Sequence, residues 1–396
     1  MSSAEATKPV ADQDAPLPIP NLAIAQLVFA LNGPSTRDGE TVDRLLELCT
    51  KDEMAPYLKH LVESHQVKQT DATDSLVSRL ERLNADHLAE LDRKLQDATT
   101  NLGESEVADA LRERATYLAR IGKQQEAIDA HERAYEKSAG KGTKIDLVLS
   151  IVRIAMFHRD SALVASQLDR AQKLVDEGGD WDRRNRLKVY RAVHLLSVRQ
   201  FTKASELLLD ALPTFTATEL LEYDDFVTLC VLAGVFSLER KDLKSKIIES
   251  PEVISVLPNV PSLRNFTDSL YKTDYATFFK SLATVEEQHF LTSRLLSPHS
   301  KYYTRELRLK AYSQLLESYR SVTLDSLSKA FGVSKEWLDA DLARFIASGR
   351  LNCSIDRVGG VVETHRPSIK NARYAKVIKN GDQVLTSVQR LSRVIG

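Results

Sequence analysis

Cysteine is scarce in this chain: Cys49, Cys230 and Cys353 are the only three among 396 residues, and they lie far apart. That spacing offers neither a disulfide framework nor a close set of metal ligands. It predicts a reducing compartment, cytoplasm and nucleus. Long apolar runs are also missing. The longest, Ile145 to Phe157, is interrupted by Asp146 and Arg153 and is too short to cross a bilayer. No basic stretch followed by an apolar one opens the chain, so no secretory signal is expected, and the acceptor-like triplets at Asn265 and Asn352 then carry no meaning for glycosylation. Charge of one sign is absent too. The formal net charge of −1 provides no global field to draw the chain to nucleic acid or to a membrane surface. HExxH, G-x-S-x-G and GxGxxG are not found, and the nine histidines are scattered. Gly140-Lys-Gly-Thr lacks the order of a phosphate loop and is expected to be a turn between helices. These absences predict a non-enzyme with no cofactor, no metal, no nucleic-acid partner and no membrane partner.

What is present is enough apolar material, 43% of residues against 28% charged, for two or three domains with real cores. Residues 1–20 carry Pro9, Pro16, Pro18 and Pro20, which predicts a disordered, extended arm. Residues 21–102 read as an N-terminal helical segment. Short helices are expected from Asn21, Thr41 and Met54, the last with Pro56 in its first turn. A long helix follows from Asp71 to Thr100, with Leu76, Leu80, Leu83, His87, Leu91 and Leu95 on one stripe and a Glu90–Lys94 pair on the other side.

Residues 103–297 read as helical repeats. Gly122 to Ala134 and Arg199 to Ala211 share a pattern with alanines seven apart, Ala127/Ala134 and Ala204/Ala211. Ala165 and Ala171 hold a looser version between them, so anchors at 127, 165 and 204 give a period of 38 to 39 residues. Small residues at such points let antiparallel helices pack closely, as in tetratricopeptide (TPR) arrays. The turn position is glycine only at Gly122; Asp160 and Arg199 are expected to fill it elsewhere. Aromatic residues gather at Phe266, Tyr271, Tyr275, Phe278, Phe279, Tyr302 and Tyr303, the pattern of a core between domains.

Residues 298–366 read as a winged helix. A first helix from Thr304 to Tyr319 is followed by one capped by Thr323 and ended by Gly332, then one capped by Ser334 and stopped by Gly349. Two strands follow around Gly359-Gly360, with Leu351, Cys353 and Ile355 alternating on the first and Val361-Val362 returning. A third helix that reads DNA needs cations and amides near its N-terminus. Here Glu336, Asp339 and Asp341 outnumber Lys335 and Arg344, and acids repel phosphates. The free strand edge is the better working surface, since it can extend a neighbour's sheet by backbone hydrogen bonds.

Helical repeats leading into this module, with Leu324-Asp-Ser-Leu-Ser-Lys-Ala-Phe-Gly-Val-Ser and Ile346-Ala-Ser-Gly-Arg-Leu-Asn-Cys-Ser-Ile-Asp, resemble the PCI domain. That domain is shared by the proteasome lid, the COP9 signalosome and a translation initiation factor. Leu17-Pro-Ile-Pro-Asn-Leu-Ala, Asp52-Glu-Met-Ala-Pro-Tyr and Val362-Glu-Thr-His-Arg-Pro to Asn380-Gly-Asp are similar to non-ATPase subunits of the 26S proteasome's regulatory particle lid. The resemblance places the helical part of the PCI domain at roughly residues 190–297.

Residues 367–396 read as one amphipathic helix. Val377, Val384, Val388, Leu391 and Ile395 follow a three-four spacing with Gly381 on the stripe, and Ile378 and Leu385 lie beside it. Its six cations (Lys370, Arg373, Lys376, Lys379, Arg390, Arg393) face one acid, Asp382. The regular seam argues for pairing with other helices, and the resemblance implies a bundle of lid subunits. The expected fold is therefore mostly α: a right-handed, TPR-like helical solenoid, a winged helix and a C-terminal bundle helix. The expected function is a non-catalytic scaffold for complex assembly and ubiquitin-dependent protein catabolism. Three surfaces would serve it. The winged-helix edge (Leu351, Cys353, Ile355, Val361, Val362) would meet other PCI-domain lid subunits. The C-terminal helix (Val377, Ile378, Val384, Leu385, Val388, Leu391, Ile395) would enter the bundle. The N-terminal repeats would touch other regulatory subunits. Alternatives are a COP9 signalosome subunit, or a nucleic-acid-binding PCI module of translation initiation or mRNA export that uses the basic tail.

Overall fold

A left-handed residue two positions before a helix recurs through the chain, at Glu53, Gly122, Arg159, Arg199 and Thr273. The computed structural model describes residues 17–33, 39–67, 69–365 and 369–395, so most of the proline-rich arm expected at residues 1–20 lies outside the described residues. These residues hold nineteen α-helices and one three-stranded sheet. They divide into two compact units, Met1–Thr267 with Thr284–Lys301, and Asp268–Ala283 with Tyr302–Gly396.

The first unit opens with α1 (Leu22–Leu31), α2 (Gly39–Lys51), α3 (Ala55–Glu63) and the long α4 (Asp71–Asn101). Ile24, Leu45, Cys49 and Leu61 of the first three helices, with Met54 at the N-cap of α3, form a core with Phe157. The face that α4 buries keeps Leu80 and Leu91 of the stripe read from sequence and departs from it elsewhere. Thr73, Leu80, Asn84, Leu91 and Ala98 are buried, whereas Leu83 and His87 are exposed. The inward line steps through Asn84 because the Tyr117 hydroxyl lies 3.0 Å from both Asn84 Oδ1 and Glu53 Oε2, giving a polar side chain a place inside. His87 sits at the margin, its ring 5.6 Å from that of Tyr117.

Three antiparallel pairs follow: α5 (Glu104–Arg120) with α6 (Gln124–Lys137), α7 (Lys141–His158) with α8 (Ser161–Asp176), and α9 (Trp181–Ser197) with α10 (Phe201–Ala211). Ala127, Ala134, Ala171, Ala204 and Ala211 are all fully buried, as close helix packing requires. The register of the middle repeat differs from the sequence reading. Val164, not Ala165, holds the buried position three residues into its helix that Ala127 and Ala204 hold in theirs. The turn moves with it. Arg159 takes the left-handed conformation at φ 62°, and Asp160 instead caps α8 by accepting the Leu163 N–H at 3.0 Å. Gly140 caps α7 and Lys141 to Thr143 form its first turn, so the phosphate-loop look-alike is the start of a helix rather than a turn between helices.

All five left-handed turns close the same way. The residue after each one donates its N–H to the carbonyl five positions back: Met54 to Cys49, Lys123 to Leu118, Asp160 to Ala155, Gln200 to Leu195 and Asp274 to Ser269. This is the Schellman closure, which satisfies carbonyls that a helix end otherwise leaves orphaned. The unit continues with α11 (Tyr223–Ser237), the short α12 (Arg240–Leu243) and α13 (Pro251–Val256), and α14 (Pro261–Lys272) runs out of it.

Two polar arrangements tie this unit together. Arg153 and Arg186, both buried on α7 and α9, flank the buried carboxylate of Glu219. The Tyr190 hydroxyl donates to Glu219 at 3.1 Å and accepts from Arg153 at 2.8 Å, while Arg153 Nε donates to the Ile19 carbonyl at 2.9 Å. Burial raises the Glu219 pKa despite the two guanidinium groups beside it. The second arrangement is a clamp. Arg294 Nη2 donates to the Met156 and Phe157 carbonyls at the end of α7, both at 2.8 Å. Gln26 of α1 accepts the Arg294 N–H at 3.0 Å and donates to the Thr292 carbonyl. Burial, reinforced by the nearby Arg159 charge, pulls the Arg294 pKa down to about 10.

The second unit takes the end of α14, most of α15 (Tyr275–Val285) and nearly all of α16 (Ser300–Leu316), then β1 (Ser321–Thr323), α17 (Leu324–Phe331), α18 (Lys335–Ala347), β2 (Cys353–Asp356), β3 (Val361–Thr364) and α19 (Ile369–Ile395). The first helix of the winged helix starts at Ser300, earlier than Thr304, and β1 was not read from the sequence at all. Thr323 and Ser334 cap α17 and α18, and Gly332 ends α17 at φ 65°. The aromatic cluster is not wholly a core between domains. Tyr275 and Phe279 pack against Phe331 at ring distances of 5.0 and 5.1 Å, and Tyr312 meets Phe331 at 4.9 Å, all inside this unit.

A Cβ on Gly122 would sit 2.9 Å from Tyr57 Cβ on a backbone at φ +84°. Gly122→Ala is expected to cost about 2 kcal/mol or more, read as a lower thermal midpoint. Thr273→Gly, which relieves a β-branched residue in the left-handed region, is expected not to lower it. His131 is buried, its Nδ1–H donating to the Ala127 carbonyl at 2.8 Å, and burial lowers its pKa to about 4. The folded state then resists protonation that the unfolded state accepts. The stability this lends is present above pH ~6.5 and lost as pH falls towards the folded value. Unfolding measured between those limits should show a pH slope about one proton smaller in His131→Leu.

Candidate interaction surfaces

Strand order in the sheet is β1-β3-β2, with both pairings antiparallel. β3 is therefore the central strand, and this revises the edge expected from the sequence. Val361 and Val362 pair with Thr323 and Val322 on one side and with Asp356 and Ile355 on the other, so neither has a free backbone edge. Val362 is also fully buried. The free edges belong to β1 and β2. On β2, His365 N–H donates to the Asn352 carbonyl at 2.8 Å, which makes residues 352, 354 and 356 the ones bonded towards β3. The N–H and C=O groups of Cys353 and Ile355 consequently point outward from the sheet. Leu351 and Cys353 turn their side chains inward and are buried, so this surface presents backbone rather than apolar side chains. Burial also pushes the Cys353 thiol pKa up, as it pushes Cys49 to about 12.

The acids of α18 are less available than their number suggests. Asp341 is buried, accepting from the Tyr312 hydroxyl at 3.1 Å, with Arg308 at 3.4 Å. Asp339 pairs with Arg357 at 2.9 Å. What α18 turns outward is Glu336, Trp337, Ala340, Arg344 and Ala347, a set poor in the donors that read base edges. In the first unit, a cleft of 810 Å³ runs along α8, α9 and α10, with Arg184, Lys188, Arg191 and Lys203 set against Asp176 and Glu206.

Among the described residues, α19 carries a row of exposed apolar side chains. Val377, Ile378, Val384, Leu385, Val388 and Leu391, joined by Tyr374, are 57% to 67% exposed. Tyr374 extends the three-four spacing by one step at the N-terminal end; its polar hydroxyl hid it from the sequence reading. Ile395 ends the helix, and its side chain lies outside the described set. A helix with one continuous apolar face exposed to water lacks the burial that normally stabilises such a face. Among the described residues no helix is long and apolar enough to cross a membrane, and no group of three His, Cys, Asp or Glu side chains could hold a metal ion.

Comparison with known proteins agrees with this layout. Three family models match in succession: "26S proteasome subunit RPN7" over residues 73–246, "PCI domain" over 272–366, and "26S proteasome regulatory subunit RPN7/PSMD6 C-terminal helix" over 373–395. The chain is 42% identical over 381 residues to the 26S proteasome non-ATPase regulatory subunit 6 of Dictyostelium discoideum, covering 95% of this chain and 98% of that protein. It is 37% identical over 401 residues to the 26S proteasome regulatory subunit RPN7 of Saccharomyces cerevisiae, covering 95% and 94%. Subunit 1 of the Arabidopsis thaliana COP9 signalosome complex is 25% identical over 190 residues, 48% of this chain and 43% of that one. Full-length identity at this level, the PCI domain and the matched terminal helix together place the chain in the RPN7 family of 26S proteasome regulatory subunits.

Proposed function

We propose that the chain is a non-catalytic scaffold of the proteasome's regulatory particle lid, joining subunits so that ubiquitin-dependent degradation can proceed. The observation that carries this reading is the exposed seam of α19, which has no use in an isolated subunit and fits a bundle of helices. Two further surfaces support it. The outward groups of Cys353 and Ile355 offer a strand edge to a neighbouring PCI subunit, and Leu351, Val361 and Val362 hold that edge from behind. The repeats α5 to α10 offer their charged cleft to other regulatory subunits. The relatives are described as non-ATPase regulatory subunits, in keeping with a role that is not enzymatic. Cytoplasm and nucleus are the compartments this role calls for. The signalosome alternative is weaker, because that likeness covers under half of the chain.

Ending the chain after Arg366, or introducing Val384→Asp with Val388→Asp, should abolish recovery of the chain with co-expressed lid subunits. Thermal melting of the isolated chain should stay within about 0.5 kcal/mol of the parent for the double variant, since both side chains are exposed. Normal recovery of either variant would overturn the role of the helix. Ile355→Pro removes an N–H that points out of the sheet, a substitution an edge strand tolerates. It should weaken recovery with lid subunits while the isolated chain remains folded, and unchanged recovery would remove the β2 edge from the scheme.

A further inference from the structure

Polar groups sealed from solvent are nearly always hydrogen-bonded, so an orphan calls for a reason. Among the described residues, eight buried side-chain atoms have no hydrogen-bond partner. Five of them fall on α9, α10 and the turn that follows: Asn185 Nδ2, Arg186 Nε, Ser205 Oγ, Thr216 Oγ1 and Glu219 Oε2. That concentration marks one place rather than scattered defects. Two of the five are complementary. Arg186 Nε is a donor on a permanent cation, Glu219 Oε2 is an acceptor, and their side chains approach to 3.8 Å between Arg186 Nη1 and Glu219 Oε1. At that distance the groups attract without bonding directly. The atoms around them are engaged. Glu219 Oε1 takes the Tyr190 hydroxyl at 3.1 Å, and Arg186 Nη2 bonds Asp146 at 3.2 Å and Asp182 at 2.9 Å. Arg153 stays 3.9 Å from Glu219 and bonds Tyr190 and the Ile19 carbonyl instead.

We propose that this node is a binding site for one internal water molecule, which accepts from Arg186 Nε and donates to Glu219 Oε2. The chemistry admits little else. Guanidinium groups 3.9 and 3.8 Å from the carboxylate exclude a cation. An anion could accept from Nε but would face the carboxylate with nothing to donate to it. A neutral molecule that both accepts and donates is required. The Arg186 and Glu219 side chains are 6% and 0% exposed, so protein encloses that molecule, as it does single internal waters. Bonds to a charge at each end make such a water nearly as good as a direct hydrogen bond. Its place in the fold gives it a use. Ile19 is held by Arg153 of α7, and the path continues through Tyr190 and Glu219 to the water and Arg186 of α9. A water can turn to follow small shifts of either side chain, which a doubly bonded ion pair cannot.

The test is made on the full chain. A high-resolution crystal structure should show an ordered water within about 3 Å of both Arg186 Nε and Glu219 Oε2. In solution, the Arg186 Nε–H should give a nuclear Overhauser effect to a long-lived water. No water at the bridge, or either atom bonded to another protein group, residues 1–16 included, would overturn the site. Both readings are taken on the parent chain, so neither depends on a variant that folds. Glu219→Leu, which removes the acceptor, should abolish the Overhauser effect; its persistence would mean that the water is held elsewhere and the bridge is wrong.

Discussion

The reversal of direction between paired helices is the constraint on which the repeats depend. Each reversal is made by one residue in the left-handed region and one N–H bonded five positions back. The closure fixes where the second helix of a pair starts, always two residues beyond the left-handed one, and so determines which side chains of that helix turn inward. Ala127, Val164 and Ala204 occupy the same place relative to their turns for that reason. Only one of the five turns uses glycine, which means that the remaining four hold a side chain in a region L-residues avoid. Packing of the helices on either side offsets that cost.

Much of this architecture was legible in the residues. Helix caps at Thr323 and Ser334, the stops at Gly332 and Gly349, and the apolar seam after residue 370 follow from local rules that do not depend on distant neighbours. The misreadings share a cause. A tolerated left-handed arginine carries no local signature, so residue pattern alone places the middle repeat one residue out of register. On α4, Asn84 turned inward in place of a leucine because Tyr117, over thirty residues away, supplies its hydrogen bond. β1 is three residues long, with exposed Ser321 and Thr323 either side of Val322, too short for alternation to show. Its existence decides which strand is central, and therefore which backbone groups of the expected edge remain free.

In the winged helix, a count of charges overstates how many acids α18 presents to its surroundings. Asp341 contributes nothing to the outer surface of α18, because it is buried as a hydrogen-bond acceptor within its own unit. The exposed residues of α18 lack amides and a cluster of guanidinium groups near the helix start, the groups that read base edges. Similarly, the edge surface depends on strand parity rather than on the apolar character of Leu351 or Val362, both of which face inward.

The clamp of Gln26 and Arg294 on the end of α7 has a consequence for how the first unit comes apart. A row of stacked repeats ordinarily loosens from its two ends, since each repeat touches only its neighbours. Here a glutamine near the beginning of the unit bonds the backbone of Thr292 and Arg294 near its end, 266 to 268 residues away in sequence, and the same arginine grips two carbonyls of α7. The row has been made into a ring in terms of contacts. A ring has no end from which to fray, so loosening one helix pair must break the closure or strain the whole, and an otherwise modular array gains the all-or-none character of a single domain.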